Sequence, residues 1–175
     1  MSPQSEPQVL FTRQEIAETV KRLAGEIKRD YQGKNPLLIG VLKGCFIFMA
    51  DLIRLLDFRL TVEFVTLSSY GRGTESSGKV KLVRCLSAPV KGCDVLVVED
   101  IVDTGLSLKY IEELFSEKSP NSMKVVSLLV KPGSLKYDVK IDYIGFRIPD
   151  KFVIGYGLDF AQKYRNLRGI YVLNT

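Results

Sequence analysis

Several short and almost unbroken apolar runs limit what this chain can fold into. Residues 36–42 (Pro36-Leu37-Leu38-Ile39-Gly40-Val41-Leu42) and 94–98 (Asp94-Val95-Leu96-Val97-Val98) lack the alternation of a strand wetted on one side. Both faces of such a strand must therefore be covered. Each run leads through a short loop into a helical pattern, over residues 46–56 in the first case. In the second, Leu106, Tyr110, Ile111, Leu114 and Phe115 face inward while Lys109, Glu112 and Glu113 face outward. Residues 60–67 and 80–86 read as further strands, and 125–130 and 141–146 complete the set. Apolar strands separated by helical or looped crossovers predict an α/β fold, a parallel sheet flanked by helices.

The first helix is the clearest single element. Thr12-Arg13-Gln14-Glu15 is a capping box, and Ile16, Val20, Leu23, Ile27 and Tyr31 recur at three- and four-residue steps until Gly33. Residues 1–8 read as a loose leader without the basic start and apolar stretch of a secretory signal. Residues 68–79, polar and rich in glycine and serine, read as a mobile loop. A length of 175 residues with 46% hydrophobic content suits one domain over 1–175. No apolar run reaches the roughly 20 residues of a membrane span.

Composition removes whole classes of chemistry. The chain has no histidine, so proton transfer falls to carboxylates, lysines or tyrosines. Cys45, Cys85 and Cys93 form no CxxC pair and are odd in number, which speaks against a disulfide framework and for a reducing cytoplasm. The net charge of +5 suits a phosphate-rich ligand or nucleic acid, but no lysine-arginine block marks a basic arm.

One segment carries the chemistry. From Asp94 the strand runs into Glu99 and Asp100, a turn adds Asp103, and Thr104, Gly105, Leu106 and Ser107 open a helix. Ligands of open α/β sheets bind at this carboxyl end, and free amides at a helix N-terminus favour a phosphate. The P-loop lysine is missing, and three acids would repel a polyphosphate. They make sense if the amides hold a 5′-phosphate while the acids face a ribose diol, a metal-bound pyrophosphate and a positive charge developing at C1′.

Residues 97–105 (Val97-Val98-Glu99-Asp100-Ile101-Val102-Asp103-Thr104-Gly105) resemble the 5-phosphoribosyl-1-pyrophosphate (PRPP) signature of the purine phosphoribosyltransferases. Leu42-Lys43-Gly44 resembles that family's pyrophosphate loop, Ser69-Tyr70-Gly71 its lid and Lys131 its base-recognition lysine. Residues 151–159 resemble its purine pocket, with Arg165 following. The motifs keep the family's order over about residues 10–173, which is far more specific than one acidic turn. The resemblance is to the hypoxanthine-guanine branch, and more to its shorter bacterial members. It implies the type I phosphoribosyltransferase fold, a twisted parallel sheet with a small hood made by N- and C-terminal segments.

The resemblance also implies roles. Glu99 and Asp100 would hold the ribose hydroxyls and Mg²⁺, with Asp159 reaching a second Mg²⁺ through water. Thr104, Gly105, Leu106 and Ser107 would hold the 5′-phosphate, and Lys43, Gly44 and Arg165 the pyrophosphate. Asp103 would exchange a proton with purine N7. Lys131 would donate to the 6-oxo group, Phe152 would stack on the base, and the backbone of Val153 and Asp159 would read its other edge. Ser69 and Tyr70 would close over the reaction. The peptide between Leu42 and Lys43 is often cis in the family. Expected partners are PRPP and a 6-oxopurine, with neither nucleic acid nor membrane. Dimers or tetramers are the family's habit, and Cys45, Phe46 and Phe48 are candidates for the contact.

Each piece alone has a plainer explanation. Asp103 could be an N-cap, Lys43-Gly44 and Lys131-Pro132-Gly133 simple turns, Ser69-Tyr70 a hairpin loop, Phe152 a core aromatic and Arg165 a surface charge. Two other functions share the fold: transfer to xanthine, adenine or uracil, and nucleic-acid-binding regulation with PRPP as effector. Lys131 and Phe152 speak against adenine and uracil, though not against xanthine. The lack of a helix-turn-helix extension speaks against the regulator.

Overall fold

A computed structural model describes residues 7–69, 80–84, 86 and 89–173, with backbone only for 68, 69 and 80–84. Most of the expected leader, Tyr70 with the rest of the expected lid, and Cys85 lie outside the described residues. Gln8, assigned to the leader, instead opens the first strand, β1 (Gln8–Phe11).

The chain continues through α1 (Arg13–Tyr31), β2 (Leu37–Leu42), α2 (Phe46–Ile53), β3 (Thr61–Ser69), β4 (Val80–Arg84) and β5 (Asp94–Val102). It then forms α3 (Leu106–Ser116), β6 (Ser122–Val130), a 3₁₀ turn at Pro132–Ser134, β7 (Tyr143–Arg147), β8 (Val153–Ile154) and β9 (Ile170–Val172). The main sheet has the order β4-β3-β2-β5-β6-β7. Its five neighbours β3, β2, β5, β6 and β7 are parallel, and β4 is antiparallel to β3. A second, antiparallel sheet, β1-β9-β8, joins the N- and C-terminal segments into the hood.

Helices cover both faces of the main sheet because its strands are apolar on both. Ile16, Val20, Leu23 and Ile27 of α1 pack with Phe48, Met49 and Leu52 of α2 against Leu38, Leu96, Val98 and Val126. Leu108, Ile111 and Phe115 of α3 pack against Leu37, Ile39, Val95 and Val97 on the other face. The capping box at Thr12 forms: Glu15 N–H donates to Thr12 Oγ1 at 3.3 Å and Thr12 N–H donates to Glu15 Oε2 at 2.8 Å.

The strand bounds shift by one to four residues from the sequence reading, and other details differ as well. The second helix stops at Ile53, and Leu55 and Leu56 close turns onto Leu52 and Ile53. In α3 the buried face is Leu108, Ile111 and Phe115, while Leu106 and Tyr110 are only half-buried, because Leu106 starts the helix beside the loop of residues 103–105. Cys45 and Phe48 are fully buried, so of the three proposed contact residues only Phe46, 44% exposed, is at the surface.

β5 also runs four residues beyond Val98, and its pleat breaks on the way. Val95 and Val97 face α3 while Leu96 and Val98 face α1 and α2. Strict alternation would then send Ile101 toward α3 and Val102 away from it, yet the two take the opposite faces. β6 makes the same change: Leu128 and Leu129 both face the α1 side and Val130 the α3 side. Pairing between the strands omits Asp100 and Leu128 but keeps its register on either side. The break falls on the two acids that the sequence places side by side.

Candidate active site

The ends of β2, β3, β5 and β6 and the segment after β8 enclose a cavity of about 530 Å³. Asp100, Asp103, Lys131, Lys43, Gly44, Phe152, Val153, Asp159 and Arg165 all line it. A smaller cavity, about 100 Å³, is lined by Glu99 and residues 101–108, so the two share Ile101 and Asp103. Adjacent on the strand and so on opposite faces of it, Asp100 opens on the larger cavity and Glu99, 4% exposed, on the smaller.

The smaller cavity is a cradle at the start of α3. Gly105 has φ +85°, a left-handed conformation that L side chains rarely adopt, and its carbonyl accepts from Lys109 N–H at 2.9 Å as the helix begins. Thr104 anchors the loop through its carbonyl, which accepts from Lys136 and Tyr137 N–H at 2.9 and 3.2 Å. Ser107 and Leu106 line the same space.

At the end of β2 the Leu42–Lys43 peptide is cis. Gly44 meets Asp100 so closely that a Cβ on it would lie 1.6 Å from Asp100 Oδ2. Asp100 is densely surrounded, and burial raises its pKa to about 6. Its own N–H, that of Ile101, and Arg165 pull it down only in part. Burial, and then the charge of Asp100, push Glu99 well above the usual carboxylate range. Two adjacent acids with raised pKa values at a cavity wall mark a candidate functional site.

Cationic groups line the same cavity. Arg165 donates to the Gly157 carbonyl at 2.7 Å and pairs with Asp159 Oδ1 at 2.7 Å. Gln162 Oε1 lies 3.3 Å from Lys43 Nζ and 3.2 Å from Arg165 Nη2, bridging the two cations. Gln162 N–H donates to Asp159 Oδ2 at 2.8 Å, and Ala161, Gln162 and Tyr164 all have positive φ. A strained, non-glycine loop at a cavity wall is a common mark of a functional site. Sequence reasoning missed Gln162, since nothing in its neighbourhood distinguishes it from a surface residue.

Lys131 directly follows β6, its side chain 7% exposed. Its Nζ lies 3.0 Å from Asp103 Oδ2 and 3.1 Å from Asp150 Oδ1. Burial acts to lower its pKa, but the two carboxylates outweigh burial and raise it, so the ammonium stays charged. Asp150 was also missed; only the need of a buried lysine for a counter-ion could have pointed to it. Phe152 is 40% exposed, with Phe160 edge-on to it at 5.7 Å. Ser69 closes β3, and its side chain and Tyr70 lie outside what is described.

Among the described residues no three acidic, cysteine or histidine side chains converge into a metal cage. The donor set still fits Mg²⁺, which uses one or two carboxylates and keeps waters and ligand phosphates.

Comparison with known proteins defines the class first: the family model for the phosphoribosyl transferase domain matches residues 9–161. Hypoxanthine-guanine phosphoribosyltransferase of Bacillus subtilis (strain 168) is 50% identical over 165 residues, covering 94% of this chain and 92% of that protein. That of Lactococcus lactis is 47% identical, covering 94% and 90%. A crystal structure of a hypoxanthine phosphoribosyltransferase from Staphylococcus aureus superposes with TM-score 0.91 at 43% identity, covering 98% and 92%. One of a hypoxanthine-guanine phosphoribosyltransferase from Bacillus anthracis, with a HEPES molecule in its active site, gives 0.91 at 44%, covering 95% and 98%. The chain belongs to the hypoxanthine-guanine phosphoribosyltransferase family.

Proposed function

We propose that this protein is a purine-salvage enzyme that transfers the 5-phosphoribosyl group of PRPP to N9 of hypoxanthine or guanine, forming IMP or GMP and releasing pyrophosphate. The observation that carries this reading is Lys131. A buried ammonium can only donate, and here it stands beside Asp103 in the cavity that adjoins the cradle. A 6-oxo group accepts from it; the 6-amino group of adenine does not.

The other roles follow from what each group can do. The amides of residues 104–107 hold the 5′-phosphate, with the start of α3 supplying positive potential. Asp100 and Glu99 hold the ribose hydroxyls, and Lys43, Gly44 and Arg165 meet the pyrophosphate. Phe152 stacks on the base while the backbone of Val153 and Asp159 reads its far edge. As N9 donates its electron pair to C1′, the C1′–O bond breaks and its pair leaves with pyrophosphate. Asp103 accepts the proton that N7 gives up. Asp100 with Glu99 would hold Mg²⁺, and Asp159 would reach a second Mg²⁺ through water; bound there, the metal would supply positive charge against the negative charge developing on the leaving pyrophosphate. A lid role for Ser69 and Tyr70 belongs to the same reading, although Tyr70 lies outside the described residues.

No described helix is long and apolar enough to cross a membrane, and a reducing cytoplasm suits the free thiols of Cys45 and Cys93. Phe46 and Leu55, 44% and 39% exposed, offer apolar surface for the dimers or tetramers that belong to this reading. Light scattering on the purified chain checks them.

The activity itself is tested by mixing the protein with Mg²⁺, PRPP and each base in turn, and separating nucleotides by chromatography. Hypoxanthine and guanine should yield IMP and GMP, with adenine and uracil slower by about 10²-fold or more. No nucleotide from either 6-oxopurine would overturn the proposal.

A further inference from the structure

We infer that Asp150 is a positioning residue: it sets the direction in which the Lys131 ammonium points and so governs affinity for the base. The inference rests on the function just proposed. An ammonium carries three donors and no acceptor. Asp103 takes one of them at 3.0 Å and Asp150 another at 3.1 Å, which leaves one for a ligand. The lysine backbone is already fixed, its N–H donating to the Val102 carbonyl at 2.9 Å and its carbonyl accepting from Ser134 N–H at 3.1 Å. What remains loose is the flexible four-carbon stem, and the two carboxylates settle where it ends.

The two carboxylates do different work. Asp103 lines the cavity and, in the proposed reaction, takes up the N7 proton, which removes its charge and weakens its hold on Lys131. Asp150 is not on the cavity wall. Its side chain is 75% exposed, in the turn between β7 and β8, where Lys151 N–H donates to the Pro149 carbonyl at 2.8 Å. The bond from Lys131 holds the Asp150 carboxyl below the usual carboxylate range, so it stays ionised through the reaction. It therefore keeps a buried cation aimed and compensated while Asp103 changes protonation state, and it does so without touching substrate.

A position on the surface makes Asp150 open to substitution without loss of the fold. In Asp150→Asn the KM for hypoxanthine should rise about five- to tenfold, between the small effect of a surface ion pair and the larger one of a broken buried pair. The KM for PRPP should stay within about twofold and the melting temperature within about 2 °C, since the Asp150 side chain is 75% exposed and Asp103 still pairs with Lys131. Asp150→Glu, which restores the charge, should recover much of the loss. An unchanged KM for hypoxanthine, or a parallel rise for both substrates, would overturn the inference. Wild-type protein that made no IMP would instead remove the function on which the inference rests, so the two failures are distinguishable.

Discussion

A glycine and an acid, Gly44 and Asp100, share one small volume at the end of β2. With Oδ2 of Asp100 only 1.6 Å from where a Cβ would stand, Gly44→Ala must displace the carboxylate or the loop. A displacement of about 1 Å can cost 10²-fold in turnover, and steady-state kinetics with PRPP as varied substrate should show a loss of that order. Asp100 itself carries a stability cost. Its folded pKa, about 6, lies above the ordinary value of an unfolded chain, so the unfolded state is favoured as pH rises through about 6 and the effect is absent in acid. At roughly 1.4 kcal/mol per pH unit, the ligand-free protein at pH 8 gives up about 2–3 kcal/mol at this residue. Asp100→Asn should therefore melt higher than wild type at pH 8 and about equally near pH 4, while losing activity; a lower melting point at pH 8 would show the charge to be stabilising. Asp103→Asn should lower turnover by about 10²–10⁴-fold with PRPP affinity little changed, as measured by pre-steady-state kinetics and calorimetry. The acids were legible in the sequence because three carboxylates after an apolar strand have few other uses. Gln162 and Asp150 were not, since a glutamine and an exposed aspartate acquire meaning only from the lysines and arginine that folding brings beside them.

Elements follow the same division. The span of α1 was readable from its capping box and apolar spacing, both local properties. Thr12→Ala should cost about 1 kcal/mol, or roughly 2–4 °C in melting temperature, without changing KM for either substrate. The short strands β1, β8 and β9 were not readable as strands, because two to four residues carry too little pattern and pair only with partners far along the chain. Nor was the pleat break in β5. Sequence alternation carries Glu99 and Asp100 to opposite faces and so to different cavities, while the break, shared with β6, exchanges the cores that Ile101 and Val102 join.

For the molecule as a whole, the parallel sheet was implied by strands apolar on both faces, and its order puts β5, bearing the acids, between β2 and β6, bearing Lys43-Gly44 and Lys131. Three loops of different sequence position thus meet above one sheet edge, with the segment after β8 closing the fourth side. The most direct test is a crystal structure with Mg²⁺, PRPP and a 6-oxopurine analogue bearing carbon at position 9, which cannot form the new bond. The 5′-phosphate should lie on the amides of residues 104–107, with the 6-oxo oxygen about 3 Å from Lys131 Nζ and position 7 toward Asp103. A sugar phosphate bound away from that cradle, or a base turned with its 6-oxo edge away from Lys131, would contradict the account.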